Sequence, residues 1–263
     1  MSESSELLQL AEKQFGSLSM ADVKLLKAVL NSDIADYSSD SEKDNDPSMA
    51  KNWNEGRVLK ADLISWLCLN REASDLVSIF GIAIKGARFK GKLNLQLAKI
   101  LFPLHFEKCA FPDGIDLRNA KILRIALVGT HTGPINASEL QVTSSVLLRD
   151  GFRVTGEVSL LGARIEGNLE CSNKSEFINP GGISFAGDSL KVGGNVFLCD
   201  GFKSEGEVRL YGAKIDGSLV CDGGPFINKK AIALNAARIE VKFDMFLRES
   251  FEAQGEVRLY VQQ

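Results

Sequence analysis

Cys171 and Cys221 stand fifty residues apart inside nearly identical text, so they are the first side chains to test for chemistry. Thiols hold a metal when several converge, typically through a C-x₂-C spacing, and act as nucleophiles when a histidine or basic cluster lowers their pKa. The chain has five cysteines and two histidines, and no two cysteines have that spacing. Cys171 and Cys221 therefore read as members of one inward ladder, where cysteine behaves as a small hydrophobe. Cys199, near the Phe202 corner, reads as a more exposed thiol without a basic neighbour. His105 falls in Phe102-Pro-Leu-His-Phe106, an alternating run that reads as strand, and His131 in Gly129-Thr-His-Thr-Gly133, which reads as a loop. No catalytic residue, cofactor or metal ligand is expected from these patterns. Gly193 and Gly194 are turn glycines rather than a phosphate-binding fingerprint, because no helix follows to receive a phosphate.

The charged residues are more regular. Arg164, Lys214 and Arg238 each stand two residues before an acid, Glu166, Asp216 and Glu240, and Glu157, Glu207 and Glu256 recur in a second series. On equivalent strands they would form columns of one sign beside columns of the other. Two accounts fit: a solvated face whose cross-coil pairs contribute a few tenths of a kcal/mol each, or a recognition face for a charged partner made of those six residues.

Such columns need an element that repeats. Phe152, Phe177, Phe202, Phe226 and Phe251 recur at intervals of 25, 25, 24 and 25 residues. Gly-Glu-Val-Ser-Leu-Leu-Gly-Ala-Arg-Ile-Glu-Gly-Asn-Leu-Glu-Cys171 returns as Gly-Glu-Val-Arg-Leu-Tyr-Gly-Ala-Lys-Ile-Asp-Gly-Ser-Leu-Val-Cys221, and Gly255-Glu-Val-Arg-Leu-Tyr260 opens a third copy. A fixed period of this size implies a solenoid, each unit burying its apolar face against its neighbours. Within a unit the period is two: Ala163, Ile165, Leu169 and Cys171 alternate with Arg164, Glu166 and Glu170, the mark of short strands with one buried face. Strands this short, with no helical crossovers, predict a mainly β chain, a right-handed parallel β-helix of about 25 residues per coil. We expect about seven coils over residues 79–263, a rod of roughly 30–35 Å. Between Val192 and Val196 the spacing from the preceding copy is 27, which places a two-residue insertion at that corner.

Residues 1–78 read as an α-helical cap. Leu7, Leu8, Ala11 and Phe15 follow helical spacing, as do Val23, Leu26, Val29 and Leu30 after a cap at Ser19 with Asp22 three residues on. A third helix is expected over Lys60 to Leu69. Residues 33–47, polar and acidic, read as a mobile loop.

The chain has 263 residues and a net charge of −3, unevenly divided. Residues 1–80 carry 8 basic and 14 acidic side chains, and the remainder 23 and 20. A repeat region near neutrality is neither a nucleic-acid-binding stripe nor an acidic rod, so a nucleic-acid partner is not expected. No apolar run reaches the ~18 residues of a membrane span. An odd cysteine count fits a reducing compartment, and the cytoplasm is the expected location.

Val158-Ser-Leu160 and Ala163-Arg-Ile165, five residues apart, resemble the rhythm of pentapeptide-repeat proteins. Over residues 57–260 the text is also similar to bacterial β-helix proteins with Gly-Glu-Val-Arg-Leu-x-Gly-Ala-x-Ile units and a helical segment like Leu59 to Cys68. Some of these carry the label membrane-associated oxidoreductase, and no redox motif accompanies the resemblance here. A β-helix offers flat faces to another protein, so the first expectation is a non-enzymatic scaffold for an unidentified protein partner, with the N-terminal helical cap as a second docking surface. One alternative is a DNA-mimicking topoisomerase regulator, which requires a strongly acidic rod. The other is a polysaccharide-acting β-helix enzyme, which requires clustered carboxylates. Val257, Leu259 and Tyr260 lie on an open final strand that Val261 to Gln263 do not cover, so a homodimer through the C-terminal coil is expected.

Overall fold

The computed structural model describes residues 3–260. The chain is mainly β, a parallel β-solenoid of about eight turns with about 23 residues per turn. Among the described residues the strands form three parallel sheets, here A, B and C, of nine, thirteen and seven strands. Ile82, Leu104, Ile125, Val146, Leu169, Val196, Leu219 and Met245 stack in sheet A and mark the eight levels. Their side chains point inward and, Met245 apart, are buried to 3% exposure or less.

The N-terminal segment is built into the solenoid. Helices α1 (Glu3–Phe15) and α2 (Met20–Asn31) pack Leu7, Ala11, Leu25, Leu26 and Val29 onto the core. Ser19 caps α2 with a reciprocal pair: its Oγ accepts from Asp22 N at 3.1 Å, and Asp22 Oδ2 accepts from Ser19 N at 2.9 Å. Strand β1 (Ile34–Asp36) extends sheet A and β2 (Val58–Lys60) extends sheet B. Helix α3 (Ala61–Leu69) then buries Leu63, Ile64 and Leu67 over the first coil. One continuous apolar cluster runs from Leu7 to Ile239, with no break in packing near residue 78.

The acidic segment 33–47 is not a free loop. Tyr37 OH donates to Ala21 O at 2.7 Å, Asn45 Nδ2 donates to Ser39 O at 2.8 Å, and Trp53 Nε1 donates to Asp44 O at 2.8 Å. Glu42 pairs with Lys108 on the second coil. Arg57 is buried, donates to Gly86 O at 2.9 Å and Asp44 O at 3.0 Å, and lies 3.7 Å over the Trp53 ring. The polarity read as disorder is instead spent on side-chain and main-chain partners of the first coils.

The five phenylalanines form a stack with ring centroids 5.6, 5.2, 5.3 and 5.3 Å apart. Their even spacing in sequence hides an uneven backbone. At the corner preceding sheet B, one column reads Phe152, Ser175, Phe202, Gly224, Phe251. Two residues on, the strand column reads Val154, Phe177, Ser204, Phe226, Ala253. Each level thus supplies one ring from either of two positions and a smaller side chain or glycine from the other. The levels themselves advance by 23, 27, 23 and 26 residues between Val146, Leu169, Val196, Leu219 and Met245. A two-residue switch of ring position offsets each long or short step, which is why the interval stays near 25.

The long coils carry their extra residues within sheet B. Ile178 to Phe185 covers seven residue steps opposite the three of Glu205 to Val208, and Ile227 to Leu234 does the same opposite Gln254 to Val257. Asn179 Nδ2 donates to Ile183 O at 2.8 Å and Asn228 Nδ2 to Ile232 O at 2.7 Å, closing both bulges alike. The corner from Val192 to Val196 has the same length as Ile165 to Leu169 and Ile215 to Leu219, so the expected insertion there is corrected to the bulge before it.

Candidate functional site

Sheet C is the simplest surface of the solenoid. Each of its strands has two residues, the first pointing out and the second in. Ile100, Ile122, Val142, Ile165, Val192 and Ile215 form the buried column, and Val241 continues it half-buried. The outward column reads Lys99, Lys121, Gln141, Arg164, Lys191, Lys214, Glu240, all exposed. Parallel strands set these side chains ~4.8 Å apart per level. Among the described residues the ion pair on this column is Lys214 to Glu240 at 2.8 Å, and the other four cations have no carboxylate within 4.0 Å.

Two residues further along, a parallel column reads Leu101, Leu123, Thr143, Glu166, Gly193, Asp216, Lys242, placed by main-chain bonds to the preceding coil. Leu101 is 75% exposed and, with Lys99, Lys121 and Leu123, borders a depression of about 220 Å³. The face therefore has a basic and apolar half near the N-terminus and a mixed-charge half beyond it.

Four expected face residues, Arg164, Glu166, Lys214 and Asp216, lie where the alternation put them, and Glu240 joins them one level on. Arg238 does not. Glu240 is the register partner of Lys214, and Arg238 sits at the preceding corner with φ 59°, in line with Gly162, Ser189 and Gly212. Its guanidinium lies 5.7 Å over the Tyr211 ring. The Ala-Arg-Ile text at 237–239 matches Ala-Lys-Ile at 213–215 but is displaced from it by two residues in space. A shift of two preserves which side chains face inward, so the apolar pattern cannot reject it. Sequence reasoning also missed Lys99, Lys121 and Lys191. The signal was present, since Lys-Ile, Lys-Ile and Lys-Val stand there as Arg-Ile and Lys-Ile stand at 164 and 214.

The nucleophile and ligand candidates are dispersed. All five cysteines are free and buried. Cys171, Leu198 and Cys221 share one inward column, and burial pushes both thiols far above the ordinary range. Cys199, expected to be more exposed, is 7% exposed, and its Sγ donates to Asp200 Oδ2 at 3.1 Å. Burial and that carboxylate push its pKa up to about 12. His105 lies on the outer face of sheet A between Ala83 and Ala126, where burial lowers its pKa. His131 is on a strand, His131–Thr132, rather than in a loop, and is likewise lowered by burial against the pull of Asp46. Among the described residues no three His, Cys, Asp or Glu side chains converge as metal ligands would.

At the other end of the rod, strand Glu252–Arg258 pairs with Pro225–Asn235 and presents its second edge to no strand among the described residues. Val257 is half-buried against the core, Leu259 is 38% exposed and Tyr260 66% exposed. Val261, Gln262 and Gln263 lie outside the described residues. No described helix is long and apolar enough to cross a membrane.

Compared with known proteins, the chain matches no family model, no curated protein and no solved structure at a significant level.

Proposed function

We propose that this protein is a non-enzymatic scaffold that holds an acidic protein partner against the outer face of sheet C. The observation that supports this most is the row of five cations, Lys99, Lys121, Arg164, Lys191 and Lys214, of which one is neutralised within the chain. A DNA mimic would need the opposite sign on such a row. A polysaccharide-cleaving enzyme would need converging carboxylates, and Glu166 and Asp216 are separated by the Gly193 level. The likeness to pentapeptide-repeat-like bacterial β-helix proteins supports a scaffold role, and five buried free thiols fit a cytoplasmic location.

The test is a double charge reversal, Lys121→Glu with Lys191→Glu. Both side chains are exposed, so the fold should lose no more than about 0.5 kcal/mol. Proteins from the native host that wild-type beads retain at low salt and release at high salt should no longer be retained. An unchanged retained set would reject sheet C as the docking face.

Self-association through the final coil belongs to the same proposal. The unpaired edge of Glu252–Arg258, with Leu259 and Tyr260 exposed beside it, offers main-chain groups to a second copy. Light scattering at tens of micromolar should give the mass of a dimer, and Leu259→Lys should halve it with far-ultraviolet circular dichroism unchanged. A wild-type monomer would end the dimer proposal without touching sheet C.

A further inference from the structure

We propose that the cleft between the Pro47–Asn52 turn and sheet B is a binding site for a phosphate monoester. The cleft encloses about 340 Å³, at the small end of the range for ligand pockets. Its basic groups come from three separate elements: Lys51 on the turn, Arg88 on the first coil and His131 on the third. None of the residues lining it is acidic.

The register explains the shape. Arg88, Ala110 and His131 occupy successive levels of one outward column. At ~4.8 Å per level, Arg88 and His131 stand two levels apart. Ala110 between them has no reach, which leaves a notch with a cation-capable side chain on either side. Lys51 lines it from the turn, and Pro112 and Pro134 give it an apolar wall.

Charge is left over in this notch. Among the described residues neither Lys51 nor Arg88 has a carboxylate within 4.0 Å. Arg153, the next residue in the column, is paired with Glu176 and so does not share their situation. Asp46 stands near His131 from the same turn, and its Oδ1 already accepts from Ser48 N at 2.8 Å. Lys51 and Arg88 bring two positive charges to one concave wall, unfavourable until an anion joins them, and His131, whose protonation burial disfavours, adds a ring N–H donor. Arginine, lysine and imidazole donors together suit a phosphate, whose three terminal oxygens accept charge-assisted hydrogen bonds. The volume exceeds that of phosphate alone and leaves room for a small apolar or ring-shaped body lying on the prolines. This site is on a different sheet from the cation row and does not depend on the scaffold reading.

The chain's two histidines supply the assay. His105 faces outward from sheet A and His131 lines the cleft. Titration with phenyl phosphate, followed by the imidazole proton resonances, should move the His131 signals and leave those of His105 in place. Phenol should move neither. Lys51→Gln with Arg88→Gln should weaken binding at least tenfold, with an unchanged urea midpoint showing that the fold survives. A short phosphotyrosine peptide distinguishes the source of the group: binding tenfold tighter than phenyl phosphate identifies a phosphorylated polypeptide, and equal or weaker binding identifies a free small molecule. No His131 response at millimolar phenyl phosphate, an equal response to phenol, or unaltered binding by the double variant would overturn the proposal.

Discussion

Phe202→Ala is expected to lower the free energy of unfolding by about 3–5 kcal/mol, measured by urea denaturation. Phe202 is fully buried, with Phe177 at 5.2 Å on one side and Phe226 at 5.3 Å on the other. Truncation removes the middle ring of the stack and leaves a cavity between two levels held at fixed spacing by main-chain hydrogen bonds. Neighbouring coils cannot close it, because they would have to break the ladders of all three sheets. The alternation of ring position supplies a stricter check. Adding Ser204→Phe to Phe202→Ala returns a ring to the same level from the strand position, as in the face-to-face pair Phe89 and Phe111 at 4.1 Å. That double variant should recover at least half of the loss. A single-variant cost under about 1 kcal/mol, well below the range for a buried phenylalanine, would mean that the stack is not what fills this interior.

Gly224→Ala should cost about 3 kcal/mol or more, the upper end for overpacking, while Gly212→Ala should cost only about 1 kcal/mol for its left-handed backbone. An added Cβ at Gly224 would lie 1.9 Å from the carbonyl oxygen of Phe202, a main-chain atom that cannot swing aside as a side chain would. The next nearest atoms, Phe202 C at 2.9 Å and N at 3.3 Å, are main chain as well. Gly212 has φ +62° but nothing within 4 Å of its would-be Cβ. Leu97, Asn119, Glu139, Ser189 and Arg238 already adopt φ between 56° and 62°, or 55° for Ser189, at the equivalent corner of other coils. The two variants therefore separate steric exclusion from backbone strain in one protein. Equal costs in parallel urea melts would show that the corner at Gly224 relaxes more freely than the ladder implies.

What the sequence determined by itself is everything that depends on local period. Alternation assigned Ile165, Leu169 and Cys171 to the interior along with Ile215, Leu219 and Cys221, and all six are buried. Helical spacing and the Ser19 box located α2, because capping and amphipathicity act within one turn. The repeat itself marked a parallel β-solenoid.

What the sequence could not determine is how one coil sits on the next. A ladder may be offset by two residues without turning any side chain around, so inward and outward assignments survive while columns change partners. That is why Arg238 reads as the partner of Lys214 although Glu240 takes the place. The four-residue bulges closed by Asn179 and Asn228 set that offset, and they act across coils. The same holds for segment 33–47, whose acidity signals disorder until Lys108 and the strand Ile82–Lys85 come within reach. It holds too for the phosphate notch, which exists because Ala110 falls between Arg88 and His131. Local preference is written residue by residue, whereas register is the outcome of main-chain bonding and ring packing between segments more than twenty residues apart, and only the folded solenoid brings those segments together.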